Sequence, residues 1–256
     1  MNKQITADQL EAYHENGFII IEDLLHEGDV KSLRSRLREY THGSRSTNRL
    51  AIQVEPRVQR GEVVVEHPGD GIRKVGKLVE EDDLFRELGL HRNIRSVLTE
   101  LLGPDIKMFR NDVMLKPPEV GSLKGMHQDS PYWPITPMEL CSCWVPLDDA
   151  TTKKGCMCAI SGGHKHGALP HLRVTDDSVV DESCFDTDGM VVLPMKAGSG
   201  MFFHSLLPHY TAPNLSSDWR RAVVMSYMSA KSRYTWEGAG PTCLPVQGRT
   251  QPGYVR

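Results

Sequence analysis

From Gly103 onward the chain is a succession of short apolar runs: IKMFRNDVMLK, LCSCWVPLDD, CMCAIS, MVVLPMK, SGMFFHSL and RRAVVMSYMSA. Gly, Pro, Asp and Ser punctuate them. Strand-length runs between turn residues point to a β-sandwich or barrel. The first hundred residues read differently. Thr6 is an N-cap for ADQLEAYHEN and Gly17 its C′ stop. Phe18–Ile21 follows as a short buried strand, and Val30, Leu33 and Leu37 recur at helical spacing in VKSLRSRLREY. A second helical pair spans about 80–102. Residues 42–70, polar and rich in Arg, Gly and Pro, read as a long excursion. The expectation is one domain over 1–256, mainly β with flanking helices. A helical buttress over about 1–102 packs on a jelly-roll core over about 103–235.

The 256 residues are enough to bury a sizeable core. A formal net charge of −3, with no like-charge block longer than EEDD at 80–83, gives no electrostatic case for a nucleic-acid partner. No run approaches the roughly 18 apolar residues of a membrane span. The segment MNKQITADQL lacks the apolar core of a signal peptide, and PGYVR carries neither a prenylation box nor a peroxisomal tripeptide. These readings place the chain in the cytoplasm, without a membrane partner. The six cysteines are then reduced thiols. Cys141 with Cys143, and Cys156 with Cys158, form C-x-C pairs. In a strand that spacing puts both thiols on one face, where they pack as small hydrophobes; structural zinc sites usually space their cysteines further apart.

Residues 125–133 read GMHQDSPYW. Taken as a strand or its end, His127 and Asp129 share a face, so one imidazole and one carboxylate reach a common point. A second histidine would complete a two-His-one-carboxylate triad, the donor set of non-haem Fe(II) oxygenases, which leaves three metal positions open. His164, His166, His171, His204 and His209 are the candidates. His164 and His166 lie in the Gly-rich turn SGGHKHG, His204 ends an apolar run, and His209 follows Pro208 at a strand exit. Spacing favours His209. A hairpin through residues 213–218 would return the next strand beside it, with Arg220 or Arg221, but not both, turned inward to receive a carboxylate.

The ordered set of motifs resembles the phytanoyl-CoA dioxygenase family of Fe(II)/2-oxoglutarate oxygenases. It runs through ENGFIII, IRKVGKLVEEDDLF, LLGPDI, MLKPPEVGS, MHQDSPYWPI, WVPLDDA, KKGCM, SGGHKHGAL and SGMFFHSLLPHYTAPN…WRRA, and so spans most of the chain. The resemblance implies a double-stranded β-helix (a cupin-like jelly roll) that uses Fe(II), 2-oxoglutarate and O2. It makes His127, Asp129 and His209 the metal ligands and Arg220 the partner of the far carboxylate of 2-oxoglutarate. It adds Thr211, Trp144 and Lys74 around the cosubstrate, and Gln128 in contact with cosubstrate or substrate. Two departures stand out. Asp112 occupies a slot where the family often has an apolar residue, and SGGHK replaces the commoner G-S-H.

Related halogenases lose the metal-binding carboxylate to a small residue, so the presence of Asp129 implies oxygenation instead. The leading expectation is hydroxylation of an unactivated C–H of a small-molecule metabolite, with release of succinate and CO2. Desaturation, cyclisation or epimerisation on the same iron is the alternative. A non-catalytic cupin-like binder, or a zinc protein built on the four clustered cysteines, is the reading from a different class. Tyr132 and Trp133, just past Asp129, and the 42–70 excursion are the expected substrate contacts or lid. Arg45, Arg49, Arg57 and Arg60 in that excursion would suit the phosphates of an acyl-CoA, or simply a polar loop.

Overall fold

A computed structural model describes residues 3–43, 45–138, 140–175, 177–235 and 243–249, apart from the side chain of Tyr132. Its first strands are β1 (Phe18–Ile21), β2 (Ala51–Val54), β3 (Ile72–Gly76), β4 (Ile106–Lys116), β5 (Lys124–His127) and β6 (Ile135–Thr136). Then come β7 (Leu140–Pro146), β8 (Met157–Ile160), β9 (His171–Arg173), β10 (Ser178–Val180) and β11 (Met190–Leu193). The last are β12 (Gly200–His204), β13 (His209–Thr211), β14 (Arg220–Ser229), β15 (Arg233–Tyr234) and β16 (Leu244–Gln247). The helices are α1 (Ala7–Asn16), α2 (Glu27–Thr41), α3 (Pro56–Gln59), α4 (Leu78–Glu81), α5 (Asp83–Gly89) and α6 (Arg92–Leu102).

Two antiparallel sheets make the jelly roll. The larger has the order β1-β12-β7-β14-β4-β3-β2, with β16 also paired to β4; the smaller has the order β11-β8-β13-β5. Period-2 alternation sorts the large sheet's side chains. Val113 and Leu115 on β4, Cys141, Cys143 and Val145 on β7, and Val223, Met225 and Tyr227 on β14 pack in one cluster. The same cluster holds Leu33 and Leu37 of α2, Phe85 and Leu88 of α5, and Ile94, Val97 and Leu98 of α6. Each buried side chain of this kind contributes roughly 1.5–3 kcal/mol relative to exposure. The intervening residues, among them Met114, Trp144 and Val224, face the opposite way, toward the small sheet. The C-x-C pair at 141 and 143 is thus a packing feature of the helix-covered face.

α1 forms as expected. The Thr6 hydroxyl accepts from Gln9 N–H, the Gln9 side chain accepts from Thr6 N–H, and Gly17 closes the helix at φ 82°. The 42–70 excursion is more ordered than its polarity implies: it contains β2 and α3, and β2 is the edge of the large sheet. An edge strand with one half-buried residue needs little apolar sequence, which explains why AIQV is easily read as loop. The first hundred residues are therefore not purely a buttress. β1, β2 and β3 are strands of the large sheet.

Candidate active site

β5 ends on His127 and β13 begins on His209, and the two residues are register partners. Their ring centroids lie 4.2 Å apart. The Nδ1 of His127 lies 2.8 Å from the carbonyl of Gly125, and that of His209 lies 2.9 Å from the carbonyl of Leu207. A carbonyl only accepts, so each Nδ1 carries its ring's proton and each Nε2 keeps its lone pair. Burial, then the neighbouring His209 and Lys124, holds His127 well below the usual histidine pKa; burial likewise lowers His209. Both are held in the neutral, metal-binding form.

Asp129 reaches the same point by a different route from the one its H-x-D spacing implies. The strand stops at His127, and Asp129 adopts helical angles (φ −75°, ψ −44°) as the cap of a short 3-10 turn. Its N–H and that of Ser130 both donate to the carbonyl of Ser205, at 2.9 and 3.0 Å. The carboxylate is held on both sides: Ser142 Oγ donates to Oδ2 at 3.1 Å, and Arg110 Nη1 donates to Oδ1 at 3.3 Å. Oδ1 stands 3.9 Å from His127 Nε2. Ligand atoms of His127, Asp129 and His209 all lie within 4.8 Å of one another; among the described residues no other group of three such donors does, the cysteines included.

The other histidines are occupied elsewhere. His171 Nε2 accepts from Gln128 N–H, and His204 Nδ1 accepts from Leu206 N–H while its ring packs 5.3 Å from that of His164. His164 and His166 lie in a 3-10 turn.

Arg220 opens β14 and lies buried in the same cavity. Its guanidinium sits over the Trp144 ring at 5.7 Å, and its Nε is buried without a hydrogen-bond partner. Burial lowers its pKa to about 10, which leaves it a cation at neutral pH. Arg221 points the other way and clamps Asp148 with Nε and Nη2, each at 2.7 Å. One expectation about this region is corrected. The 213–218 turn does not return beside His209 in one sheet: β13 belongs to the small sheet and β14 to the large one. Arg220 therefore meets the cavity from the opposite wall.

Trp144 and Thr211 line the cavity, as do Met157 and Phe203, whose ring packs edge-on against His209 at 4.9 Å. Three other expected residues do not line it. Lys74 Nζ is paired with Asp112 at 3.1 Å. The buried Gln128 amide donates to the carbonyls of Gly167 and Leu206 and accepts from Leu169 N–H, so its hydrogen-bonding groups are spent on backbone. Trp133 packs edge-on against Phe109 at 4.9 Å, under the Arg110 guanidinium. The side chain of Tyr132 lies outside the described residues.

Residues missed in the sequence include Arg110, Ser142 and Lys116. Arg110 is gripped by Asp112 at 2.8 Å, so the departure at position 112 ties Lys74, Arg110 and Asp129 into one chain of charges. Burial opposes the charge on Arg110, but Asp129 and Asp112 outweigh it and raise its pKa. The Lys116 ammonium donates to the carbonyls of Ser122 and Thr211, and burial, then Arg220, holds it well below the usual lysine value. Arg110, Asp112 and Lys116, two or four apart and so on one face of β4, were the available signal.

The chain is 27% identical to the peroxisomal phytanoyl-CoA dioxygenase of Homo sapiens, over 91% of this chain and 71% of that protein. Among solved structures it is similar to iron-bound EctD from S. alaskensis, with TM-score 0.76, 20% identity, and coverage of 96% and 89%. The apo non-haem monooxygenase ThoJ also has TM-score 0.76, with 21% identity and coverage of 94% and 84%. Fold and relatives define a class: the chain is a 2-oxoglutarate-dependent non-haem iron dioxygenase. Within that class, the phytanoyl-CoA dioxygenase (PhyH) profile matches residues 13–222, and the chain belongs to this family. Its cofactors are Fe(II) and 2-oxoglutarate, with O2. The residues present fit them: two neutral imidazoles and a carboxylate suit Fe(II), and a buried guanidinium with an unpartnered Nε suits a carboxylate.

Proposed function

We propose that the enzyme hydroxylates an unactivated C–H of a small molecule, with His127, Asp129 and His209 holding the iron and Arg220 holding 2-oxoglutarate. The observation that carries this is the buried donor cluster facing a buried, unpartnered arginine across one cavity. Bound iron, with 2-oxoglutarate and O2, supplies the oxidant for C–H cleavage, with succinate and CO2 as co-products.

The chain's own residues do the rest. Ser142 and Arg110 hold the Asp129 carboxylate in one orientation, and the carbonyls of Gly125 and Leu207 fix both imidazoles. Arg220, backed by the Trp144 ring, orients the cosubstrate, with the Thr211 hydroxyl beside it. Met114, Met157, Phe203 and Val224 give the cavity an apolar patch among its charged groups, which limits bulk water at the reacting carbon.

Substrate geometry at the iron decides between hydroxylation and desaturation, cyclisation or epimerisation. We take residues 1–256 as one working domain, since strands from its first hundred residues build the large sheet. No helix of the described residues is long and apolar enough to cross a membrane, and the cytoplasm is the proposed location. The test is succinate release from 2-oxoglutarate by Fe(II)-loaded protein in air, with the product identified by mass. No succinate release from wild type across a broad substrate panel would sink the proposal.

A further inference from the structure

We propose that the substrate is an apolar molecule bearing a single acid group, and that Arg73 binds that group. The inference rests on the oxygenase reading above and names the substrate class of the same site.

Five cationic side chains line the cavity: Arg73, Arg110, Lys116, Lys124 and Arg220. Arg110 is spent on Asp112 and Asp129, at 2.8 and 3.3 Å. Lys116 is spent on the carbonyls of Ser122 and Thr211, and Lys124 on Asp177. Arg220 answers to 2-oxoglutarate. The cavity's second carboxylate, Glu55, takes the Ser122 hydroxyl at 2.6 Å and its N–H at 3.3 Å. Arg73 remains. It is half-buried on β3 and makes no hydrogen bond or ion pair with any described residue. A guanidinium held at a cavity wall with no partner is a ready receptor for an oxyanion.

The position of Arg73 indicates what is attached to that anion. With Ser122 it also lines an adjoining groove, whose other walls include Pro56, Leu123, Val174 and Val179. Leu123 is 52% and Val174 46% exposed, apolar side chains standing open beside the free cation. The groove does not suit a carrier with several phosphates. Arg57 and Arg60 reach it too, but both are turned onto Glu62, at 3.9 and 2.5 Å. Arg45 is likewise paired with Glu39 and Arg49 with Glu81. One available cation matches one acid group.

The test uses Ni(II)-loaded protein saturated with 2-oxoglutarate and isothermal titration. The probes are decanoate, 3,7-dimethyloctanoate and octylphosphonate, each beside its neutral methyl ester, and decanoyl-CoA. At least one acid is expected to bind about tenfold or more tightly than its ester. Arg73→Gln should abolish that preference and Arg73→Lys should retain part of it, with 2-oxoglutarate affinity intact in both variants as evidence of folding. Whether a carboxylate or the phosphonate wins identifies the acid. Acids binding no better than esters, a preference that survives Arg73→Gln, or decanoyl-CoA binding more tightly than decanoate would each overturn the proposal. Failure of the wild type to bind 2-oxoglutarate would instead bring down the oxygenase reading, and this inference with it.

Discussion

His127 and His209 sit directly opposite each other on neighbouring antiparallel strands, with ring centroids 4.2 Å apart and each Nδ1 tied to the carbonyl two residues before it. The strand pairing itself brings two imidazoles to one point, and the turn after β5 adds the carboxylate.

His209→Ala removes one donor of three. Fe(II) affinity of the folded protein should fall at least about 100-fold, and succinate release should vanish. His204→Ala should leave the metal site intact and lower stability instead, because His204 accepts from Leu206 N–H away from the donor cluster. Metal titration beside circular dichroism separates the two. The reverse pattern would show the ligand choice to be wrong.

Ser142→Ala deletes the hydroxyl that holds Asp129 Oδ2 and touches Ser226 Oγ at 2.9 Å. Loss of such a supporting partner should weaken Fe(II) binding by about 10-fold, with little change in fold. An unaltered metal titration would mean that Arg110 alone orients the carboxylate.

Arg220 and Arg221 are adjacent but should respond differently. Arg220→Ala should raise the 2-oxoglutarate concentration needed for half-maximal turnover by about 100-fold, since a buried charge-assisted pair is lost. Arg221→Ala should leave that requirement unchanged and cost about 1–2 kcal/mol of stability through Asp148, readable as a lower Tm. Equal effects on turnover would contradict the inward and outward assignment.

Acid should destabilise the fold partly through His204, whose pKa is lowered to about 4, chiefly by burial and then by His164 and His14. In the unfolded chain the same ring protonates near 6.5. Between pH 6.5 and 4 the unfolded state therefore binds more protons, so stability falls as pH drops through that window and is level above it. The contribution is on the order of 3 kcal/mol. Urea melts should show a shallower acid slope for His204→Gln than for wild type; parallel slopes would exclude the effect.

Local chemistry was legible in the sequence. The Thr6–Gln9 box, the Gly17 stop and the strand-length apolar runs of β4, β7 and β14 are written in neighbouring residues. So was the likeness of the motif set to an oxygenase family. Matters decided by distant partners were hidden. Lys74 meets Asp112 because β3 lies beside β4, and no local pattern announces that pairing. Gln128 is claimed by carbonyls at 167 and 206, contributed by two other loops. The 213–218 turn resembles a hairpin in sequence, yet it changes sheets, and only the complete strand order reveals this.

β1 pairs with β12 through Phe18–Phe203, Ile19–Phe202, Ile20–Met201 and Ile21–Gly200. During synthesis FIII emerges long before the strand that receives it. Contacts so distant along the chain form slowly and leave apolar edges uncovered meanwhile. The donor set obeys the same timetable, because His127 and Asp129 precede their partner on β13 by more than one strand of each sheet. The His127–Asp129–His209 cluster therefore cannot assemble until β13 has been made, long after the first strand has left the ribosome.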